Sequence, residues 1–163
     1  MVRKELYTAL RDRIKAAMPW VRWIDLQKGQ ADAPSKTFPL PLPCVLIEIK
    51  PVTWETYSDN SQLGQATVSL TLIQDHSGNT VHGADSETES LKMLDRMDDV
   101  FQAIQDLSGN HFKRLVRMGD EVTRYKLRTV ESRTDFTTTL VDTLEELKAQ
   151  LPAAEFTVEL EVQ

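Results

Sequence analysis

Residues 65–74 read Gln-Ala-Thr-Val-Ser-Leu-Thr-Leu-Ile-Gln and show the clearest periodicity in the chain. The even positions from Ala66 to Leu72 are apolar, and the odd positions from Gln65 to Thr71 are polar. Because successive side chains of a β-strand point to opposite faces, this alternation predicts a strand with one buried and one wet face. Such strands are typical of antiparallel sheets that pack on a core with one side only.

Two amphipathic helices are predicted, one on each side of this strand in the sequence. The first covers residues 2–18, where an apolar residue recurs at every fourth position before a proline: Val2, Leu6, Leu10, Ile14 and then Pro19. This spacing gives one apolar face, and the proline ends the helix. The second helix is predicted to begin at a capping box, Ser86-Glu87-Thr88-Glu89, and to end at Gly109-Asn110 in a left-handed cap. Its predicted apolar stripe consists of Leu91, Leu94, Met97, Phe101 and Ile104, with Val100 and Leu107 alongside.

Further strands are predicted from short apolar or alternating segments. They cover residues 20–26, 44–50, 52–57, 112–118, 122–131, 134–142 and 156–162. Gly119-Asp120 is the predicted hairpin turn between two of them, and a short helix is predicted from Thr143 to about Gln150. The fold class is therefore α+β: a single mixed, mostly antiparallel sheet with two main helices packed on one face, in one domain covering residues 1–163.

Composition sets limits on the class of protein. The chain has 163 residues, 40% hydrophobic and 27% charged, which is sufficient for one core. No apolar run approaches the roughly 18 residues that a membrane helix needs, and no apolar segment follows the N-terminal charges as in a secretion signal. The single cysteine, Cys44, excludes an internal disulfide and is expected to be a core thiol, not a nucleophile.

The charge is unevenly distributed along the chain. The net charge of −6 argues against a general nucleic-acid-binding protein. Residues 1–15 carry five basic and two acidic side chains and residues 112–133 carry seven and three, whereas residues 44–111 carry three and eleven and residues 134–163 one and seven. Such alternating blocks suit head-to-tail contacts between copies of the chain. Pairing of these charges within one monomer is the alternative.

No arrangement of residues indicates catalysis or metal binding. Asp75-His76-Ser77 are consecutive, so their side chains diverge and cannot form a relay. The same loop has Thr80 where a calcium-binding EF-hand needs glycine. His76, His82 and Asp85 are irregularly spaced, and we expect them to be solvated loop residues. We predict no catalytic residue, no metal and no cofactor.

One basic strand face is a candidate interface. In the predicted strand 122–131, one face carries Arg124, Lys126 and Arg128. The other face carries the uncharged residues Tyr125, Leu127 and Thr129. Three adjacent cations repel each other unless a partner neutralises them. The partner is either an acidic surface of another subunit or, within the monomer, a glutamate of the terminal segment: Glu155, Glu159 or Glu161.

The order of the predicted elements resembles that of the tail terminator, or tail completion, proteins of long-tailed phages and prophages. The segments that carry the resemblance are residues 43–49, the strand 66–73 and the helix 91–107, within a region of about 40–130. The resemblance implies a mixed sheet with helices on one side and assembly into a homohexameric ring. It implies no catalytic residue.

Function and partners follow from this resemblance as expectations. The ring would cap the tail tube, fix its length and present a surface to head-completion or connector proteins, in the host cytoplasm during assembly and then in the virion tail. DNA would pass through the ring without specific recognition, and no membrane is involved. The alternatives are another phage-morphogenesis subunit, such as a head–tail connector or baseplate component, and a small α+β ligand-binding domain or enzyme with a deep pocket.

Overall fold

Two helices and six strands form the part of the chain that the structure, a computed structural model, describes: residues 2–32, 40–58, 60–76, 78–126 and 128–143. The helices are α1 (Val2–Ala17) and α2 (Glu87–Ile104). The strands are β1 (Trp23–Leu26), β2 (Cys44–Ile49), β3 (Thr53–Ser58), β4 (Ser61–Asp75), β5 (Val116–Lys126) and β6 (Thr129–Thr143). The predicted helix 143–150 and terminal strand 156–162 lie outside the described residues, apart from Thr143.

All six strands belong to one open sheet. Five of them follow the order β1-β2-β4-β6-β5, and β3 lies off this path beside β4. β1 is parallel to β2, and the other neighbours are antiparallel. β3 pairs with the first part of β4, so that β2 and β3 follow one another along the same side of β4. The prediction of an α+β fold with a mixed, mostly antiparallel sheet is confirmed.

The main core lies between the two helices and one face of the sheet. The predicted apolar face of β4 is buried there, and so is the predicted stripe of α1, as the fourfold spacing requires. The core residues include Leu6, Leu10, Ile14, Val45, Ile47, Val68, Leu70, Leu72, Val100, Ile104, Phe136 and Leu140. Both helices therefore pack on the same face of the sheet, as predicted.

The opposite face of the sheet carries a smaller apolar cluster. Cys44, Leu46 and Ile73 are buried there. Ala31, Leu40 and Leu42 pack against them from the described ends of the long segment between β1 and β2. The described ends of that segment therefore cover this apolar cluster on the second face of the sheet.

The second helix begins after Ser86 as predicted, but it differs from its prediction in its cap, in its C-terminal boundary and in part of its buried face. Ser86 precedes α2, but its side chain makes no capping hydrogen bond. The helix ends at Ile104, and Asp106, with φ at 67°, has the left-handed conformation predicted for Gly109. Leu91 and Leu94 are 38% and 48% exposed. Val100 and Ile104 of the predicted set are buried, and Met97 and Phe101 pack against the core. The other buried positions are Ser90, Met93 and Ala103, because the first half of the helix is rotated from the stripe that leucine spacing suggested.

The predicted hairpin at Gly119-Asp120 is wrong. β5 continues through both residues, and its pairing with β6 ends at Lys126 and Thr129, between which the chain reverses. A register shift lies between Arg117 and Gly119, as is common where a glycine interrupts a strand. The predicted strand 134–142 is confirmed as part of β6, whereas the predicted strand 122–131 divides into the end of β5 and the start of β6.

A corner next to α1 links the segment after α2 to the N-terminal helix. Glu5 Oε1 accepts hydrogen bonds from the backbone N–H of Asn110 at 2.7 Å and of His111 at 3.3 Å. The other oxygen, Oε2, contacts His111 Nδ1. His111 is thus a partner of Glu5 through both its backbone and its ring.

A substitution of Gly109 by alanine tests how tightly the residues around Glu5 and Phe112 are packed. A Cβ atom there would lie 2.3 Å from the buried ring of Phe112 and 2.6 Å from Glu5 Oε1. We expect Gly109→Ala to lower the free energy of unfolding by about 1–3 kcal/mol, since a rigid ring would have to move. Gly119→Ala is the matched control: nothing lies within 4 Å of its Cβ, and its effect should stay within about 0.5 kcal/mol. Equal effects of the two changes in urea unfolding would contradict this packing.

The Glu5 carboxylate should make stability depend on pH. Burial raises the pKa of Glu5, but the hydrogen bonds from His111 and Asn110 together lower it more, so the net pKa lies below the usual value. Stability from this group is complete above the ordinary glutamate pKa of about 4.3 and is lost as the pH falls through the lower, folded-state pKa. We expect Glu5→Gln to cost about 1–3 kcal/mol at pH 7.

The difference between wild type and Glu5→Gln should narrow in urea unfolding as the pH is lowered from 7 to 3. Glu89→Gln is the control, because Glu89 is exposed on α2 and its side chain pairs with Lys92 in water. A difference for Glu5→Gln that stays constant over this pH range would show that the carboxylate is not the stabilising group.

Candidate functional site

The face of the sheet opposite the helices is polar and charged over β4, β5 and β6. Alternate residues of β6, Glu131, Arg133 and Asp135, face this side, opposite Ile73, Thr71 and Ser69 of β4. This is the wet face that the alternation in residues 65–74 predicts. We call it the polar sheet face.

Ion pairs connect several strands across the polar sheet face. Arg133 lies 2.7 Å from Glu121 of β5 and 3.4 Å from Asp135 of its own strand. Asp135 also accepts a hydrogen bond of 2.5 Å from the Ser69 hydroxyl of β4 and lies 3.8 Å from Lys50, which follows β2. Each partly exposed pair contributes only about 0–1 kcal/mol, but together they order the side chains on this face.

The candidate interface residues Arg124, Lys126 and Arg128 do not share one strand. Arg124 lies on the polar sheet face opposite Glu131, and Lys126 is paired with Thr129 at the end of β5. Arg128 lies in the turn after β5 and is exposed. The side chain of Lys126 lies outside what the structure describes.

The partners of Arg124 belong to its own chain. Its guanidinium lies 3.0 Å from Asp32 and 3.6 Å from Glu131. Arg128 forms no ion pair with another described residue, and the alternative partners Glu155, Glu159 and Glu161 lie outside the described part of the chain. The charge of Arg124 is therefore neutralised within its own chain and does not require a second subunit. The interface role of this region stays a prediction, and it depends on Arg128.

The one cysteine is placed where it cannot act as a nucleophile at neutral pH. Cys44 is fully buried in β2, and burial raises the pKa of its thiol to about 12. The thiolate, which is the reactive form, is therefore almost unpopulated at pH 7.

The three residues considered for a metal site are separate. The His82 side chain is fully exposed with Nδ1 3.5 Å from Glu87, and Asp85 is exposed as well. His76 instead lines a cleft of about 250 Å³ with Arg22 and Arg96. Within the described ranges, no three His, Cys, Asp or Glu side chains come close enough to hold a metal ion.

A larger groove lies beside the end of β1, and sequence reasoning did not identify it. Its volume is about 640 Å³, and its walls come from α1, the end of β1 and β2. The lining residues are Arg3, Lys4, Tyr7, Leu26, Gln27, Lys28, Ile47, Glu48 and Ile49. The only feature of the sequence that pointed to this groove was the basic block of residues 1–15, which contains Arg3 and Lys4. We call this cleft the β2 groove.

Neither of the described helices is both long and apolar enough to cross a lipid bilayer. A comparison with models of known protein families finds none that matches the chain, and a comparison with curated proteins finds no match either.

Arg124 and Arg128 should respond differently to charge reversal. We expect Arg124→Glu to lower the free energy of unfolding by about 0.5–1 kcal/mol, because Glu131 would then face a like charge. Arg128→Glu should leave stability within about 0.5 kcal/mol of wild type and, if this turn is an interface, reduce the mass of the assembly in solution. Urea unfolding and light scattering measure the two effects. An unchanged mass for Arg128→Glu would remove this region from the interface.

Proposed function

We propose that this protein is a structural assembly subunit, a phage or prophage tail terminator that forms a homohexameric ring. The ring caps the tail tube, ends its growth and joins it to the head-completion or connector proteins. Its place of action is the virion tail, after assembly in the host cytoplasm. DNA passes through the ring without being recognised.

The observation that carries this proposal is that the open sheet ends in unlike edge strands, β1 and β3 on one side and β5 on the other. β1 is a four-residue parallel strand with Trp23 and Leu26 exposed. β5 is an eleven-residue antiparallel strand with two register shifts and with Met118 and Val122 exposed. Unpaired edges with apolar side chains are surfaces on which other chains dock.

Unlike edges favour contacts between different surfaces of neighbouring copies. Such head-to-tail contacts either close into a ring or continue as a filament. A subunit that ends the growth of a tube must use the closed form. The uneven charge blocks support the same arrangement, because a basic surface of one copy can meet an acidic surface of the next.

The chemistry of the candidate catalytic residues supports a role without catalysis. The thiol of Cys44 is protonated and buried. The charged groups of the cleft near His76 partly neutralise one another, since Lys92 lies 2.5 Å from Glu89 there. The net charge of −6 also suits a ring through which DNA moves, because acidic surfaces do not retain phosphates.

Capping of growing tubes tests the proposed function directly. Tail tube protein from the same phage or prophage is polymerised with and without the purified chain. We expect short tubes of uniform length, with a ring visible at one end by electron microscopy, when the chain is present. The same amount added after polymerisation has finished is the control and should bind ends without changing length. Tubes that grow equally long in both cases, with bare ends, would contradict the proposal.

A further inference from the structure

The helix α2 presents an exposed face with two leucines and two aspartates. The four residues are Leu91, Leu94, Asp95 and Asp98, which lie together on one side of the helix because pairs of them are three or four positions apart. All four are exposed, and neither aspartate forms an ion pair with another described residue. We call this face the acidic ridge.

The acidic ridge lies on the side of α2 that is nearer to β5. Asp98 is followed at intervals of three and four residues by Phe101 and Gln105, so these three share one side of the helix. Phe101 and Gln105 both contact Arg117 of β5. The guanidinium of Arg117 lies 3.8 Å from the centre of the Phe101 ring, and its backbone N–H donates to Gln105 Oε1 at 3.1 Å.

The helix α1 presents exposed cations near the other end of the sheet. Lys4, Arg11 and Lys15 recur at intervals of seven and four residues, and they lie on one side of α1, away from its buried stripe. Lys4 also lines the β2 groove together with Leu26 of β1. Lys4 and Lys15 form no ion pair with another described residue, whereas Arg11 pairs with Asp12 at 2.8 Å in an exposed position. We call this line of cations the basic ridge.

The two ridges are directed toward opposite ends of the subunit. β1 and β5 are the first and the last strand in the order of the sheet. The basic ridge lies on the β1 side and the acidic ridge on the β5 side, so the two do not neutralise each other within one copy.

The rest of the chain offers little positive charge for the acidic ridge. The longest segments outside the described residues are 33–39 and 144–163, and their only basic side chains are Lys36 and Lys148. The second of these segments also carries five glutamates. A second molecule is therefore the better source of cations for this face.

Resting on the proposed ring, we propose that the acidic ridge of one copy packs on the basic ridge of the next copy. Arg11 and Lys15 are separated by about 6 Å along α1 and the two aspartates by about 4.5 Å along α2, so each cation can meet one carboxylate. The aliphatic stems of the cations would cover the exposed leucines. A contact between unlike faces at opposite ends of a subunit is head-to-tail, as a ring requires.

A charge exchange tests this contact in the full chain. Variant A carries Asp95→Lys and Asp98→Lys, and variant B carries Arg11→Glu and Lys15→Glu. Each variant alone places like charges at the contact, and we expect its self-association to weaken by about tenfold or more. An equimolar mixture should recover the wild-type mass, because both ridges of each variant then meet opposite charges in the other. Recovery should weaken as the salt concentration rises.

Matched controls make the same change in net charge at exposed positions outside the two ridges. Asp85→Lys with Glu89→Lys is the control for variant A, and Arg3→Glu with Arg13→Glu is the control for variant B. Both controls should keep the wild-type mass. Light scattering gives the masses, and urea unfolding verifies that all variants remain folded.

The leucines of the acidic ridge test the apolar part of the contact. Leu91→Gln with Leu94→Gln should weaken self-association at every salt concentration, because the burial of apolar surface is not screened by salt. Val81→Gln is the control, since Val81 is exposed in the loop before α2 and lies outside the ridge. It should keep the wild-type mass.

The outcomes separate this inference from the proposed function. A wild-type ring that persists in both variant A and variant B would overturn the inference and leave the proposed ring intact. Weakening in only one of the two variants, or a mixture that stays dissociated, would also overturn it, because the two ridges would then not be partners. A wild-type chain that stays monomeric at high concentration would overturn both the inference and the proposed self-assembly.

Discussion

The structure depends on the burial of one face of β4 against the two helices. β4 has 15 residues and pairs along its whole length with β6 on one side and with β2 and β3 on the other. Because its side chains alternate between faces, a shift of one residue would bring threonines and glutamines into the core and leucines into water. The register of three neighbouring strands, and with it the surface against which α1 and α2 pack, follows from this constraint.

The same constraint produces the two kinds of surface that the molecule presents. Since the helices cover one face, the other face of β4 and β6 is left to polar residues, and ion pairs such as that of Arg133 with Glu121 organise it. The sheet does not close, so β1, β3 and β5 remain as edge strands of different length and regularity. The short length of β1 leaves β2 uncovered near Ile49, where the β2 groove lies. Proposed contacts between copies thus arise at the ends of the sheet and on the exposed sides of the helices, and the core does not take part in them.

The corner at Glu5 shows how helices that pack on one face are held in place by more than apolar contact. Its carboxylate accepts hydrogen bonds from the backbone of residues 110–111, which lie between the end of α2 and β5. A charged acceptor with several donors is among the stronger polar contacts in a protein. It links α1, whose basic side chains line the β2 groove, to the segment that enters the edge strand β5.

The sequence by itself determined the elements whose pattern is local: α1, β2, the alternation of β4 and the fold class. Periodicity reports which face of an element is apolar, because burial acts on each element separately. Only the tertiary structure decided which part of α2 is buried, that β5 passes through Gly119, and that Arg124 meets Asp32. That contact joins residues 92 positions apart, and the β2 groove likewise combines α1, β1 and β2. Strand pairing and packing between distant segments set such contacts, and no pattern within a single segment encodes them.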